Sequence, residues 1–283
     1  MYLSGRPDSP DSPSTIALQP TGATHRAWVD LKAGMLRWQL WGLLGWQSIR
    51  ERYRRSSIGP FWVTLSMATL IVGLGIMYSG LFGVPRLEYI PYVAVGFIVW
   101  ALISGLITDG CSCFFASAPL IKQLPGPLSV YVYHCVWRNL LTFLHNATIL
   151  VVICLIYGLW PGISNLALAI LGIAVICING VWFSLLMGTI SARLRDIPPI
   201  VTSLLQLVFF LTPIFWHPEQ LGERSLVVNF NPFRYFLDIV REPLLGHSAG
   251  GIAWLVVAAL TVVGSLTGFL FFARYRSRIP YWV

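Results

Sequence analysis

An all-α integral membrane protein is what this sequence predicts, with six transmembrane helices and both termini cytoplasmic. An N-terminal amphipathic interfacial helix precedes them, and a short re-entrant outer helix comes before the last span. Three observations carry that expectation. Of 283 residues, 56% are hydrophobic and 11% are charged, whereas soluble domains carry roughly 25% charge. Apolar runs of about 20 residues, enough to cross a hydrocarbon core, recur six times. Lys and Arg are shared very unevenly between the segments that join those runs.

The first 25 residues, "MYLSGRPDSPDSPSTIALQPTGATH", contain no apolar h-region and so do not read as a signal peptide. Their Pro, Ser and Asp content predicts a disordered N-terminal tail over 1–27. Residues 28–56 are expected to form the interfacial helix. At helical spacing Leu31, Met35, Trp38, Gly42, Trp46, Ile49 and Tyr53 make a charge-free stripe, with Lys32, Arg37, Gln39, Gln47 and Arg50 off it. The Trp content and internal Arg suit a helix lying in the membrane interface rather than crossing it. Leu40 and Leu43 blur the contrast. Gly59-Pro60 then opens the six-span domain, 57–283, with Pro in a first turn where its missing N–H does no harm.

The spans are expected at 61–82, 90–108, 137–159, 164–191, 200–216 and 251–273. Pro213 kinks the fifth, which requires neighbours to meet the freed carbonyl. Fifteen of the nineteen basic residues fall on the side of the termini, which places that side in the cytoplasm. On the other side Asn231-Pro232 starts a helix whose apolar face is Phe233, Phe236, Leu237 and Val240. Arg234 and Asp238 form an i,i+4 ion pair on it, and Glu242-Pro243 and Gly246 end it. This is the expected re-entrant helix.

Soluble-enzyme chemistry finds no purchase. A phosphate-cradling G-x-x-x-x-G-K-[ST] loop is missing and the chain holds two lysines. The five cysteines read as reduced, packed thiols rather than metal ligands. No ladder of Asp, Glu or His suggests a proton relay. The isolated Asp109 and Asp196 are poor material for a metal-dependent transferase acting on polyprenyl-phosphate sugars. Within spans, Asn146 and Gln206 read as interhelical glue, and Arg138 as snorkelling to the interface. Trp62, Trp100, Trp160, Trp216 and Trp254 fit interfacial belts. Phe209, Phe210, Phe215 and Trp216 bracket the Pro213 kink and are candidates to line a path, since aromatic faces stack on sugar rings.

Seven segments in order carry a family resemblance: the interfacial helix, "RYRRSSIGPFW", "LIKQLP", "ARLRDIPPI", "LTPIFW", "NPFRYFLDIVREPLLG" and "RYRSRIPYWV". Over roughly residues 28–283 the chain resembles the transmembrane subunit of type-2 ABC exporters, in the polysaccharide or O-antigen branch of Wzm, KpsM and TarG proteins. The resemblance implies a homodimeric permease of the bacterial inner membrane. It would pair with two copies of a cytoplasmic ATP-binding subunit that binds ATP and Mg, so that this chain carries no catalytic residue, cofactor or metal.

The implied substrate is an undecaprenyl-pyrophosphate-linked polysaccharide. Leu120, Ile121, Lys122, Arg193, Arg195 and Asp196 become candidates for coupling to the ATPase. Asn231, Phe233, Arg234, Tyr235, Asp238 and Arg241 become candidates for an outer gate. The basic cluster Arg52, Arg54 and Arg55 has no soluble domain to present it to nucleic acid. It holds the first span's start in the cytoplasm, and its guanidinium groups suit a lipid pyrophosphate or anionic headgroups generally. A type-2 permease for a drug or lipid, and a membrane-bound sugar transferase, are the alternatives.

Overall fold

The computed structural model describes residues 22–53, 61–218 and 228–283, with the side chains of 52 and 53 outside that description. Among the described residues the secondary structure is wholly helical. Helices α1 (Ala23–Leu36) and α2 (Trp38–Tyr53) precede α3 (Phe61–Phe82), α4 (Arg86–Ala116) and the short α5 (Ala118–Gln123). Then come α6 (Ser129–Tyr157), α7 (Ile163–Arg193), α8 (Ile197–Leu211), α9 (Pro232–Leu244) and α10 (Gly251–Tyr275). A 3₁₀ turn, Arg276–Arg278, leads into α11 (Ile279–Trp282). Among the described residues five helical runs are long and apolar enough to cross a membrane: α3, α4 with α5, α6, α7, and α10 with its C-terminal turns.

Helix α4 is the axis of the bundle. Its residues from Tyr89 to Trp100 are buried without a break, because α3, α6, α7, α8 and α9 all pack on it. The other spans bury one face only. One end of the bundle gathers α1, α2, α5 and the C-terminal turns and is called basal here; α9 lies at the other, distal end. A second core closes the basal end, where Phe114 and Phe272 stack at 6.4 Å beside the buried Ala27, Ile121 and Ile279.

Three expectations need correction. The single helix expected over 28–56 is two helices, and it begins at Ala23, inside the expected tail. The break at Arg37 turns the chain from the α6–α10 junction, which α1 covers, onto the flank of α6, which α2 covers. The large aromatic members of the stripe, expected in the membrane interface, face out of the bundle. Met35, Trp38 and Trp46 are more than half exposed, while Ala27, Asp30, Gly34 and the stripe's own Ile49 are buried. Small residues win these positions because α6 comes so close. A Cβ at Gly34 would overlap Ser129 Oγ, and one at Gly45 would sit 2.5 Å from Trp137 Cδ1.

The expected fifth span is helical only over the 15 residues of α8, about 22 Å at 1.5 Å per residue against a hydrocarbon core of about 30 Å. Pro213 stops it, lacking an N–H and disfavouring helix at the residue before it. Residues 212–217 continue without helix to the distal end. The freed carbonyls there are met from outside: Arg241 Nη1 donates to Pro213 O at 2.6 Å and Asn231 Nδ2 to Leu211 O at 3.2 Å. Tyr92 Oη donates to Trp216 O at 3.0 Å, and Tyr89 Oη to Phe215 O.

Candidate functional site

A groove of about 460 Å³ runs between α4 and α8. On α4 its wall is Trp100, Ser104 and Thr108, spaced by four and therefore on one face. On α8 it is Thr202, Leu205, Gln206, Phe209 and Phe210. No lining residue is ionisable. Ser104 donates back to Trp100 O at 2.8 Å and Thr202 to Pro198 O at 2.9 Å, so each hydroxyl keeps acceptor lone pairs for the groove. Neutral hydroxyls, one amide and aromatic faces suit a hydroxylated chain sliding past, where a fixed charge would trap an ion.

Two of the four expected path aromatics, Phe209 and Phe210, line this groove. Phe209 is fixed by Phe97 at 5.8 Å, Trp100 at 5.9 Å and Phe215 at 5.8 Å, while Phe210 is 65% exposed. Phe215 packs on Tyr78 at 5.5 Å and Trp216 lies beyond it, so both belong to the distal aromatic cluster instead. Trp100 is a correction too. It is 7% exposed and packs edge-on to Phe233, not in an interfacial belt. Its spacing by four and eight from Ser104 and Thr108 was an available signal for the groove that sequence reading did not use.

At the basal end the six coupling candidates form one platform. Ile121 anchors α5 by burial, Leu120 is half-buried and Lys122 is exposed. The α7–α8 turn carries Arg193, Arg195 and Asp196, all exposed, and the Arg195 guanidinium lies 4.8 Å over the Phe115 ring beside α5. Arg54 and Arg55, and the side chain of Arg52, lie outside the described residues. Arg52 is the penultimate residue of α2.

A carboxylate that sequence reading passed over holds the platform together. Asp30, 2% exposed, accepts from the backbone N–H groups of Leu128 at 3.1 Å and Ser129 at 2.9 Å. It therefore caps α6, whose own residues offer no side-chain cap, with an anion at the positive end of the helix dipole. Arg276 Nε meets the same carboxylate at 2.5 Å, and Ser129 Oγ donates to Asp30 O at 2.7 Å. An acid on a helix face otherwise made of Ala27 and Gly34 was the available signal.

Higher in the bundle, Asp109 and Arg138, read separately from sequence, are partners. They pair at 2.6 Å, and Asn139 Nδ2 donates to Asp109 at 2.8 Å. The two charges sit at comparable depths from the basal ends of antiparallel helices, so pairing costs less than two separate excursions to water. Asn146 is buried, and among the described residues no hydrogen-bond partner meets its Oδ1. The thiols of Cys111, Cys113, Cys135, Cys154 and Cys177 are free. No group of three metal-ligating side chains occurs among the described residues.

At the distal end Asn231 caps α9 by accepting from Phe233 N at 3.0 Å, and Phe233 rests 5.8 Å from Trp100. The expected pair is present, with Arg234 Nε 3.3 Å from Asp238 Oδ2. Tyr235 Oη donates to Asn229 O at 2.7 Å. Arg241, a candidate for the outer gate, is buried. It holds Asp238 at 2.8 Å and lies 4.2 Å over the Tyr92 ring, as well as donating to Pro213. Helix α9 is thereby bolted to the non-helical end of the groove.

Comparison with known proteins matches residues 39–245 to the family described as ABC-2 type transporter. A Klebsiella pneumoniae protein described as "O-antigen export system permease protein RfbA" is 25% identical over 227 residues, 77% of this chain and 86% of the relative. A second Klebsiella pneumoniae protein of that description is 25% identical over 230 residues, 77% of this chain and 86% of its own length. One from Myxococcus xanthus is 27% identical over 197 residues, 66% of this chain and 72% of the relative.

Proposed function

The chain belongs to the ABC-2 type transporter family and is a multi-pass protein of the bacterial inner membrane; on that premise we propose that it is the channel-forming permease of an ATP-driven polysaccharide exporter. Its substrate in this reading is an O-antigen-like glycan carried on undecaprenyl pyrophosphate. The observation that carries the reading is likeness to O-antigen export permeases over most of both chains. The uncharged, hydroxyl-bearing and aromatic groove between α4 and α8 supports it chemically.

In this reading the chain crosses six times, α8 with residues 212–217 making the fifth passage, and both termini are cytoplasmic. The basal platform then faces two copies of an ATP-binding subunit, which carry ATP and Mg. A second copy of this chain covers α8, none of whose 15 residues is buried within one protomer. Arg52, Arg54 and Arg55 meet the lipid pyrophosphate or its membrane surroundings where the interfacial helix joins the first span. Helix α9 flanks the exit.

Deletion of the gene tests the reading. Surface glycan should disappear and lipid-linked polymer accumulate inside the cell. Intact surface glycan without accumulation overturns it, and intact glycan with new drug sensitivity points to a drug or lipid permease. For the basic cluster, Arg54→Lys with Arg55→Lys keeps charge but loses bidentate geometry. Undiminished export in that variant removes the specific pyrophosphate contact.

A further inference from the structure

The C-terminal segment "RIPYWV" is pinned at every side chain but one of its large apolar residues. Ile279 is fully buried in the basal core. Trp282 packs 6.0 Å from the Tyr275 ring, its carbonyl accepts from Arg195 Nη2 at 3.2 Å, and the Arg193 guanidinium lies 5.8 Å over its indole. These contacts lay α11 against both α5 and the base of α7. Tyr281, on the same helical turn, is 89% exposed. Burial of Ile279 and packing of Trp282 offset the entropy of ordering the tail, and they fix Tyr281 on the outward side of the turn.

Tyr281 does not stand alone. Leu124, the C-cap of α5, is 57% exposed and Leu194, the C-cap of α7, is 52% exposed. All three apolar groups sit at the ends of helices that meet at the base, where α11 packs on α5 and α7. Around them Lys122, Arg193 and Arg195 outnumber the one acid, Asp196. An apolar patch rimmed by such charges marks an association surface, and its complement is an apolar cleft with an acidic edge.

We propose that α11 is a third element of the docking surface for the ATP-binding subunit, with Tyr281 inserting into that subunit beside Leu124 and Leu194. This rests on the exporter reading above, which supplies the partner; the tail's part in binding it is the new element. The tail then reads movement of α5 and the α7–α8 turn together, because its contacts with Arg193 and Arg195 tie the two.

Photo-crosslinking in native membranes tests it. A benzophenone amino acid replaces Tyr281 in one variant and Lys122 in another, and each adduct is identified by mass spectrometry. Both positions should capture the same ATP-binding subunit, and Tyr281→Ala should lower its co-purification several-fold at unchanged permease level. Capture from position 122 with only lipid adducts, or none, from 281 overturns the tail's role and leaves the exporter reading standing. If neither position captures an ATP-binding subunit, the partner assignment falls with it. Substitution at an 89% exposed side chain leaves the packing of the permease intact, so loss of partner is not loss of fold.

Discussion

Two aspartates organise the two ends of this molecule in opposite ways. Asp238 gathers arginines from its own helix, Arg234 at i−4 and Arg241 at i+3. Asp30 gathers partners that are 98, 99 and 246 residues away. The distal cluster mainly stiffens α9, and only Arg241 reaches out to Pro213 and Tyr92. The basal cluster has no local function at all. It exists to fix α1, the start of α6 and the C-terminal turn relative to one another. A carboxylate with one arginine can thus be a brace within an element or a joint between elements, and only its partners' sequence separation tells which.

The sharpest way to break this comparison is Asp30→Ala. It strips Arg276 of its partner and uncaps α6, and should cost about 3–5 kcal/mol, measured as a fall in the unfolding midpoint of the purified permease. A loss below about 1 kcal/mol would show the joint to be ornamental. Asp30→Asn separates its parts, since the one amide oxygen keeps a single backbone N–H while the NH2 group turns a donor toward the other; well under half the loss should return. Arg241→Ala comes next, at about 2–3 kcal/mol. It leaves the Pro213 carbonyl without that donor, but Asp238 keeps Arg234.

Gly34→Ala probes the same joint by volume rather than charge. The added methyl meets Ser129 Oγ and Val130 N and should cost about 1–3 kcal/mol through forced separation of α1 from α6. The smallest effect belongs to Arg234→Ala, a partly exposed i,i+4 pair worth about 0.2–0.5 kcal/mol. If Arg234 proved as costly as Arg241, burial would not be what distinguishes the two arginines.

The same contrast explains what could be read in advance. The Asp238 pair, the Asn231 cap and the stop at Pro243 to Gly246 are consequences of spacing within one helix, and all were legible. Five of the six expected apolar spans were legible for the same reason, because length and composition are local. Asp30, Arg276 and the Asp109–Arg138 pair depend on which helices become neighbours, and periodicity carries no such information. The aromatic stripe of α1 and α2 was read as facing the membrane interface, and Met35, Trp38 and Trp46 do face out of the bundle. In a membrane protein the outside is apolar too, so close helix approach selects small residues such as Gly34 and Gly45, and Trp38 and Trp46 are left facing out. In the groove, Phe209 and Phe210 were found from their clustering near Pro213. Ser104 and Thr108 were missed because single hydroxyls in a span are usually spent on their own backbone.

The borrowed cap of α6 has a consequence for biosynthesis. Chains emerge from the ribosome N-terminus first, at about 5–20 residues per second. Asp30 therefore waits roughly 10–50 s for Arg276, 246 residues later, to be made. In the later part of that interval, once Ser129–Tyr157 has been made, α6 can receive its cap, yet the carboxylate that caps it lacks its cation. Closing the basal joint is accordingly among the last events of assembly. A chain that stops short of residue 276 would be left with an unneutralised acid where α1 meets α6, a local marker by which an unfinished copy differs from a finished one.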